Sequence, residues 1–172
     1  VPLLFVRGNH DTQYDWKYPE GCEDIDDEIY NYKGLRILGL GGSMRYKPGE
    51  DMYTEKEMKR RIGKLKKYLY ISKGFDILVT HAPAKGYGDM EDLPHIGFDC
   101  FNDLLDTYHP RYMLFGHVHQ EYGSFERVIH HPSGTILING YGQYLLEVED
   151  ESLPKETGNN LYYRYMTWKK RK

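Results

Sequence analysis

Three short apolar runs in this chain each lead directly into a polar cluster that contains histidine. The runs lie at residues 3–7, at the start of FDILVTHAP (75–83) and at the start of RYMLFGHVH (111–119), and each has the composition of a buried β-strand. The polar side chains that follow them are Asn9, His10, Asp11, His81, His117 and His119. Because ligands bind beyond the carboxyl ends of strands in an α/β sheet, these clusters are predicted to meet at one edge.

Two other segments have the periodicity and the end signals of amphipathic helices. The first begins at Thr54, where Thr54 and Glu57 form a T-x-x-E capping box, and Gly74 can end it. Its apolar residues fall on one face, namely Met58, Ile62, Leu65 and Leu69. The second helix is predicted within residues 97–110, with Pro110 at its end. Its apolar face consists of Phe98, Phe101, Leu105 and Tyr108. Both helices are predicted to pack against a sheet.

The remaining segments predict loops and antiparallel strands. Residues 12–27 are polar, acidic and punctuated by glycine and proline, as in a surface loop. Lys33-Gly34 separates two strand-like segments and predicts a tight hairpin turn. Residues 124–150 and 161–170 have the pattern of antiparallel strands. Strands that alternate with helices, followed by a strand-rich tail, predict an α/β sandwich rather than a helical bundle.

The size and charge of the chain exclude some classes of function. Its 172 residues suffice for one domain with a hydrophobic core, predicted to span residues 1–172. The formal net charge of −3 gives no support to a nucleic-acid partner. No apolar run approaches the roughly 20 residues that span a bilayer, so no membrane partner is expected. Cys22 and Cys100 lack a CxxC pattern and are predicted to be reduced thiols of a cytoplasmic protein.

The residue types in the polar clusters favour a divalent metal site. If the segment is extended, His117 and His119 point to the same side, because side chains repeat every second residue. Asn9 adds a neutral amide oxygen, and imidazole is a ligand suited to zinc, iron, nickel and manganese. Gly8 and Gly116 would let the chain turn close to a ligand. The clusters are therefore the predicted functional site.

The positions of the other histidines give weaker support for a functional role. His109 precedes Pro110 at the end of the second predicted helix, which indicates a structural role. His130 and His131 stand before a Pro-Ser-Gly turn and are predicted to be exposed. His95 lies in a loop rich in glycine and aspartate, from which it could reach a substrate.

Three motifs resemble those of the calcineurin-like metallophosphoesterases. GNHD at residues 8–11, THAP at residues 80–83 and GHVH at residues 116–119 match, in order, the last three of the family's motifs. The surrounding stretches are similar to small bacterial-type phosphoesterases and to class III cyclic-nucleotide phosphodiesterases. The family's earlier D-x-H and G-D motifs do not precede Gly8. The resemblance therefore implies a metallophosphoesterase-type β-sandwich flanked by helices, lacking its N-terminal strand and helix.

The resemblance also implies a hydrolase with a dinuclear metal site. Asn9, His81 and His117 would ligate one divalent ion, and His119 would ligate the other. The two ions could be manganese, iron, zinc or nickel, since the family uses several metals with the same ligands. In the family, an Asp and a His of the first motif and a second, bridging Asp complete the two sites.

Catalytic and substrate-binding roles follow from the same resemblance. His10 would stabilise the transition state or protonate the leaving oxygen, and Asp11 would orient His10. Arg7, Arg45 and His95 would contact the substrate. The expected substrate is a small phosphate ester or a cyclic nucleotide, hydrolysed by a phosphodiesterase or phosphatase reaction.

Two other classes of function stay open at this point. Without the carboxylates of the first two motifs, the chain could act as a non-catalytic binding or scaffold protein with a degenerate metal site. A DNA-processing nuclease of the same superfamily would need a basic groove, which the net charge of −3 does not support.

Overall fold

The computed structural model describes residues 2–11, 19–120 and 125–148, which form a mixed α/β fold. A central sheet of six strands is accompanied by two sheets of two strands each. The strands of the described residues are β1 (Leu3–Phe5), β2 (Cys22–Asp24), β3 (Glu28–Tyr32), β4 (Leu35–Leu40), β5 (Ser43–Met44), β6 (Met52–Tyr53), β7 (Ile77–Thr80), β8 (Tyr112–Phe115), β9 (Val128–His130) and β10 (Ile136–Asn139). The helices are α1 (Glu55–Ser72) and α2 (Asp99–Tyr108).

The central sheet has the strand order β3-β4-β7-β8-β10-β9. Its four inner strands are parallel, while β3 and β9 at the edges run antiparallel to their neighbours. α2 connects β7 to β8, since parallel neighbours need a crossover connection. Val79 pairs with Leu114, so β7 and β8 end side by side at Thr80 and Phe115. The predicted α/β class is confirmed, and the segments that follow β7 and β8 are neighbours.

The strand that leads to Asn9 lies outside the central sheet. β1 pairs in parallel with β2, and Leu3 on β1 is 59% exposed. A strand does form within residues 3–7, but the prediction that it is buried is wrong. The prediction of a loop over residues 12–27 is wrong at Cys22–Asp24, where β2 forms. The sequence of β2 is Cys-Glu-Asp, which has none of the apolar alternation that predicts a strand, and backbone pairing with β1 forms it instead.

Gly41 and Gly42, which directly follow β4 of the central sheet, contact the segment after β1. Gly42 donates its N–H to the Arg7 carbonyl at 2.7 Å. A Cβ on Gly41 would lie 2.5 Å from the same carbonyl oxygen, so this close approach requires glycine. The buried Arg61 of α1 donates to the Gly41 carbonyl at 2.8 Å and pairs with Asp26 at 2.7 Å. These contacts hold the residues after β1 beside the carboxyl end of β4.

The predicted hairpin between β3 and β4 is confirmed. Its two turn residues have positive φ angles, 50° at Lys33 and 92° at Gly34. A two-residue turn with both central residues in this region matches the twist of the flanking strands. The side chain of Asn31 accepts the Gly34 N–H at 3.1 Å and closes the turn.

Both predicted helices are confirmed. The Thr54 hydroxyl accepts the Glu57 N–H at 3.3 Å, and the Glu57 carboxylate accepts the Thr54 N–H at 2.7 Å, which completes the capping box. α1 ends at Ser72, where Lys73 takes a left-handed conformation with φ of 55° just before Gly74. The predicted apolar residues that are buried in the core are Met58, Ile62, Leu65, Leu69, Phe98, Phe101 and Leu105.

Gly63 lies on the exposed face of α1, where its flexibility lowers stability. A Cβ at this position would meet no heavy atom within 4 Å. Gly63→Ala is expected to raise the free energy of unfolding by about 0.5–1 kcal/mol, because alanine loses less backbone entropy than glycine in a helix. Urea unfolding of the two chains measures the difference, and a lower midpoint for the alanine variant would contradict it.

The segment after β8 agrees with the prediction only in part. β9 and β10 pair antiparallel, as predicted, whereas residues 143–148 form no strand with any described residue. The predicted strand at residues 161–170 lies outside the described residues. His131 is 6% exposed, so its predicted exposure is wrong. Its ring packs on Tyr87 with centroids 4.6 Å apart, and its Nδ1 accepts the N–H of Ser133, which folds the ring inward.

Three further sequence predictions concern the helix ends, the cysteines and the membrane. His109 ends α2 in a left-handed conformation with φ of 47°, in line with its predicted structural role. Cys22 and Cys100 form no disulfide. Among the described helices, none has the combined length and apolar character needed to cross a membrane.

Candidate active site

Three predicted site residues meet beyond the ends of three strands. Asn9 follows β1, His81 follows β7 and His117 follows β8. His81 Nε2 lies 3.0 Å from Asn9 Oδ1 and 3.0 Å from His117 Nδ1. The rings of His81 and His117 meet edge to face, with centroids 4.8 Å apart. One amide oxygen and two imidazole nitrogens therefore converge on a single point.

The turn that carries Asn9 is closed by Asp11. The Gly8 N–H donates to the Asp11 carboxylate at 2.7 Å, and the Asp11 N–H donates to the Gly8 carbonyl at 3.1 Å. A Cβ on Gly8 would lie 2.5 Å from the ring of His81, so only glycine lets the turn approach this imidazole. In the structure Asp11 closes this turn through its hydrogen bonds with Gly8. Its role in orienting His10 stays a prediction.

His117 lies in a tight turn rather than in an extended segment. Its φ is +66°, and the Val118 N–H donates to the Gly116 carbonyl at 2.7 Å. A hydrogen bond from i+2 to i with a positive φ between them is typical of a γ-turn, which is rare and strained. The assumption that His117 and His119 share the side of an extended strand is therefore wrong. The turn directs His117 toward His81 while Val118 is buried in the protein.

A loop carbonyl determines which nitrogen of His117 carries its proton. His117 Nε2 lies 2.7 Å from the Pro94 carbonyl, which can only accept a hydrogen bond. In the neutral ring, Nδ1 is then an acceptor that faces His81. Asn9 Oδ1 also accepts, so His81 Nε2 donates to these two neighbours. A cation at this point would replace that proton and meet three lone pairs.

His95 lies beside the cluster on the same loop as Pro94. Its Nδ1 is 2.6 Å from the Asp92 carboxylate, and its ring centroid is 5.3 Å from that of His117. The structure therefore places His95 next to the converging residues. Its contact with a substrate stays a prediction.

Burial keeps both central imidazoles neutral. It lowers the pKa of His81 from its ordinary value of 6.5 to about 3, with smaller contributions from the charges of His117, His10 and His119. Burial also lowers the pKa of His117, while the hydrogen bond to the Pro94 carbonyl opposes this change. Neutral imidazoles keep the lone pairs that a metal ion requires.

The converging donors fit one divalent metal ion. An amide oxygen with two neutral imidazoles suits borderline cations such as zinc, iron or manganese. Among the described residues, no group of three or more histidine, cysteine, aspartate or glutamate side chains could hold a metal ion, so the third donor here is the amide of Asn9. The identity of the metal and a second ion stay predictions.

His10 and His119 lie close enough to the cluster to affect its two central imidazoles. His10 is exposed, and its charge acts on both His81 and His117. The charge of His119 also acts on both rings, and the His119 ring stacks on Tyr141 with centroids 4.6 Å apart. Both residues therefore lie near the converging donors, and their catalytic and metal-binding roles stay predictions.

The two arginines expected to contact phosphate each have a carboxylate neighbour within the chain. Arg7 Nη1 lies 3.7 Å from the buried Asp51 carboxylate. Arg45 donates to the Met52 carbonyl at 3.1 Å and pairs with Glu57 at 2.9 Å. In the structure both guanidinium groups hold neighbouring segments together, and their contact with phosphate stays a prediction.

Two contacts of the cluster carried no signal in the sequence. The Pro94 carbonyl bonds to His117, and the Tyr46 hydroxyl accepts a hydrogen bond from Asn9 Nδ2 at 3.3 Å. The chain has 17 tyrosines and 8 prolines, so neither residue type distinguishes these positions. Both contacts depend on the paths of loops, which residue spacing does not determine.

Comparisons with known proteins identify a family that this chain resembles in sequence. The model of the calcineurin-like phosphoesterase family matches residues 1–121. The UPF0046 protein C25E10.12 of Caenorhabditis elegans is 32% identical over 109 residues, which are 59% of this chain and 36% of that protein. The human metallophosphoesterase domain-containing protein 1 is 36% identical over 62 residues, which are 34% of this chain and 19% of that protein. The match thus spans about a third or less of these curated relatives.

Solved structures resemble the fold. One crystal structure superposes with a TM-score of 0.57 at 18% identity, over 81% of this chain and 57% of the other. The protein TT1561 of Thermus thermophilus gives a TM-score of 0.51 at 15% identity, over 81% of this chain and 63% of the other. At these identities the likeness concerns the fold alone, whereas the family model covers most of the chain, including GNHD, THAP and GHVH. The chain belongs to the calcineurin-like phosphoesterase family.

Proposed function

We propose that this chain forms part of a metal-dependent phosphoesterase that hydrolyses small phosphate esters, including cyclic nucleotides. The observation that supports this function most directly is the convergence of Asn9 Oδ1, His81 Nε2 and His117 Nδ1 within 3.0 Å contacts. Burial keeps both imidazoles neutral, so their nitrogens can bind a cation at pH 7.

The residues of the cluster would hold the metal centre. Asn9, His81 and His117 would bind one ion, and His119 would belong to a second ion in a dinuclear site. Bound divalent ions supply activation of the attacking water and neutralisation of charge on the phosphoryl oxygens. The turn of Gly8 and the γ-turn at His117 hold these side chains in place before substrate arrives.

His10 is the residue of the cluster best placed to meet a substrate. It is exposed while Asn9 beside it is buried, and its charge reaches both central imidazoles. In this proposal His10 donates a proton to the leaving oxygen of the ester or stabilises the charge that develops there. His95 on the neighbouring loop, whose ring lies 5.3 Å from that of His117, would also contact the substrate.

His10→Ala is expected to separate chemistry from metal binding. Turnover of a phosphate ester with a poor leaving group should fall by about 10²–10⁴-fold, the usual contribution of a general acid, while bound metal stays the same. The loss should be smaller for a nitrophenyl ester, because its leaving group needs no proton. Steady-state kinetics on both esters and metal analysis of the purified chain measure these effects.

His130→Ala is the matched control, since His130 is also an exposed histidine but lies on β9. It should leave turnover and metal content unchanged. Equal losses for both esters in His10→Ala would assign His10 an electrostatic role only. Loss of the metal would make it a ligand and contradict the assignment as a proton donor.

One observation favours a non-catalytic binding protein as the second candidate. The three groups that converge in the described residues are one amide and two neutral imidazoles, so none of them is a carboxylate. Neutral donors hold a divalent ion less strongly than carboxylates do. The metal-loaded chain should be assayed against a phosphomonoester, a phosphodiester and a cyclic nucleotide. Metal binding without turnover of any of them would favour the binding protein over the hydrolase.

A further inference from the structure

The side chain of Asn9 is held at both ends. It is 6% exposed, its Oδ1 lies 3.0 Å from His81 Nε2, and its Nδ2 lies 3.3 Å from the Tyr46 hydroxyl. An amide has one accepting end and one donating end, and only the oxygen can bind a cation. When Oδ1 faces the cluster, the buried Nδ2 needs an acceptor on its other side, because an unpaired buried donor is costly. The Tyr46 hydroxyl is that acceptor.

The segment that carries Tyr46 is tied to the start of α1. The Arg45 N–H donates to the Tyr53 carbonyl at 3.0 Å, which continues the pairing of β5 with β6. The Arg45 guanidinium pairs with Glu57 at 2.9 Å, and Glu57 also accepts the Thr54 N–H in the capping box. Tyr46 is therefore anchored from the residue directly before it.

Tyr46 also faces open space. Residues 45–49 line a cavity of about 550 Å³, so the tyrosine contacts both this cavity and Asn9. Removal of its hydroxyl would leave the aromatic ring in place at a partly exposed position outside the hydrophobic core. A loss of the hydroxyl can therefore be tested without removal of a core side chain.

We propose that Tyr46 is a positioning residue of the metal centre, whose hydroxyl holds the Asn9 amide with its oxygen toward His81 and His117. This inference rests on the proposed function, because it gives Asn9 Oδ1 a cation to bind. Outer partners that orient a ligand in this way typically contribute about 10–100-fold to metal affinity. In this proposal Tyr46 acts on the metal through Asn9.

The test compares the affinity of the full chain for Mn²⁺ and Zn²⁺ by calorimetric titration, without any substrate. Tyr46→Phe should weaken binding by about 10–100-fold. Its unfolding midpoint in chelator should fall only modestly, because Asn9 Nδ2 loses one hydrogen-bond acceptor. Tyr70→Phe is the control, because Tyr70 is 85% exposed on α1 and should keep wild-type affinity. A purely structural role would lower the midpoint but leave the affinity unchanged.

A double variant tests whether Tyr46 affects metal binding only through Asn9. In Asn9→Ala the amide is absent, so adding Tyr46→Phe should weaken metal binding no further. An equal additional loss in that background, or wild-type affinity in Tyr46→Phe while Asn9→Ala binds weakly, would overturn the inference. The wild-type chain could bind both ions with this dependence on Tyr46 and yet hydrolyse no phosphate ester. That result would support the role of Tyr46 and contradict the proposed hydrolase. A wild-type chain that binds neither ion would overturn both.

Discussion

Replacement of His81 by alanine is expected to reduce phosphate-ester hydrolysis by more than about 100-fold. This loss exceeds the effect of about 10–100-fold that is typical when a residue that only orients a metal ligand is removed. His81 Nε2 lies 3.0 Å from both Asn9 Oδ1 and His117 Nδ1, so its loss removes the donor at the centre of the cluster. His117→Ala should have an effect of similar size. Turnover on one ester and metal content after dialysis measure both variants.

His81→Asn provides a second variant in case the alanine chain folds poorly. Its amide can still hydrogen-bond to Asn9 but cannot replace an imidazole ligand, so it should fold like the wild type and lose activity. His130→Ala again controls for the loss of a histidine outside the cluster. Wild-type turnover and metal stoichiometry in either His81 variant would show that the predicted ligands are wrong.

The unfolding free energy of the chain in chelator is expected to decrease as the pH falls from about 6.5 toward 3. Burial lowers the pKa of His81 to about 3 in the folded chain, whereas the unfolded chain titrates near the ordinary value of 6.5. Below pH 6.5 the unfolded chain therefore binds a proton that the folded chain does not. The stability from this group is complete above pH 6.5, and up to about 5 kcal/mol of it is lost by pH 3.

Other groups modify this pH dependence. His117, whose pKa burial also lowers, acts in the same direction as His81. Asp26 acts in the opposite direction, because burial raises the pKa of its carboxyl despite the neighbouring Arg61. The difference between wild-type and His81→Asn unfolding curves isolates the contribution of His81. Parallel curves for the two chains between pH 7 and pH 4 would contradict a neutral, buried His81.

The elements that could be predicted from the sequence are those whose signals are local. The capping box of Thr54 and Glu57 and the apolar positions of α1 depend on residues three or four apart. The turn at Lys33-Gly34 depends on two adjacent residues that accept positive φ. Such signals need no knowledge of the rest of the fold, and the structure confirms each of them.

Two of the wrong predictions concern residues whose conformation depends on distant partners. β2 forms because β1 lies beside it, not because its own residues favour a strand. His131 is buried because the turn at Ser133 folds it onto Tyr87, which is 44 positions earlier in the chain. Local polarity predicted the opposite in both cases.

For the candidate site, the sequence by itself determined the residue types, their order and the motifs that resemble one family. Only the tertiary structure decided that Asn9, whose strand lies outside the central sheet, meets His81 within 3.0 Å. It also decided that His117 sits in a γ-turn with its proton directed to Pro94, and that Tyr46 contacts Asn9. The physical reason is that spacing along the chain specifies local conformation. The contacts of Asn9 with His81 and Tyr46, and of His117 with Pro94, instead join residues 23 to 72 positions apart through the paths of loops and glycines that allow close approach.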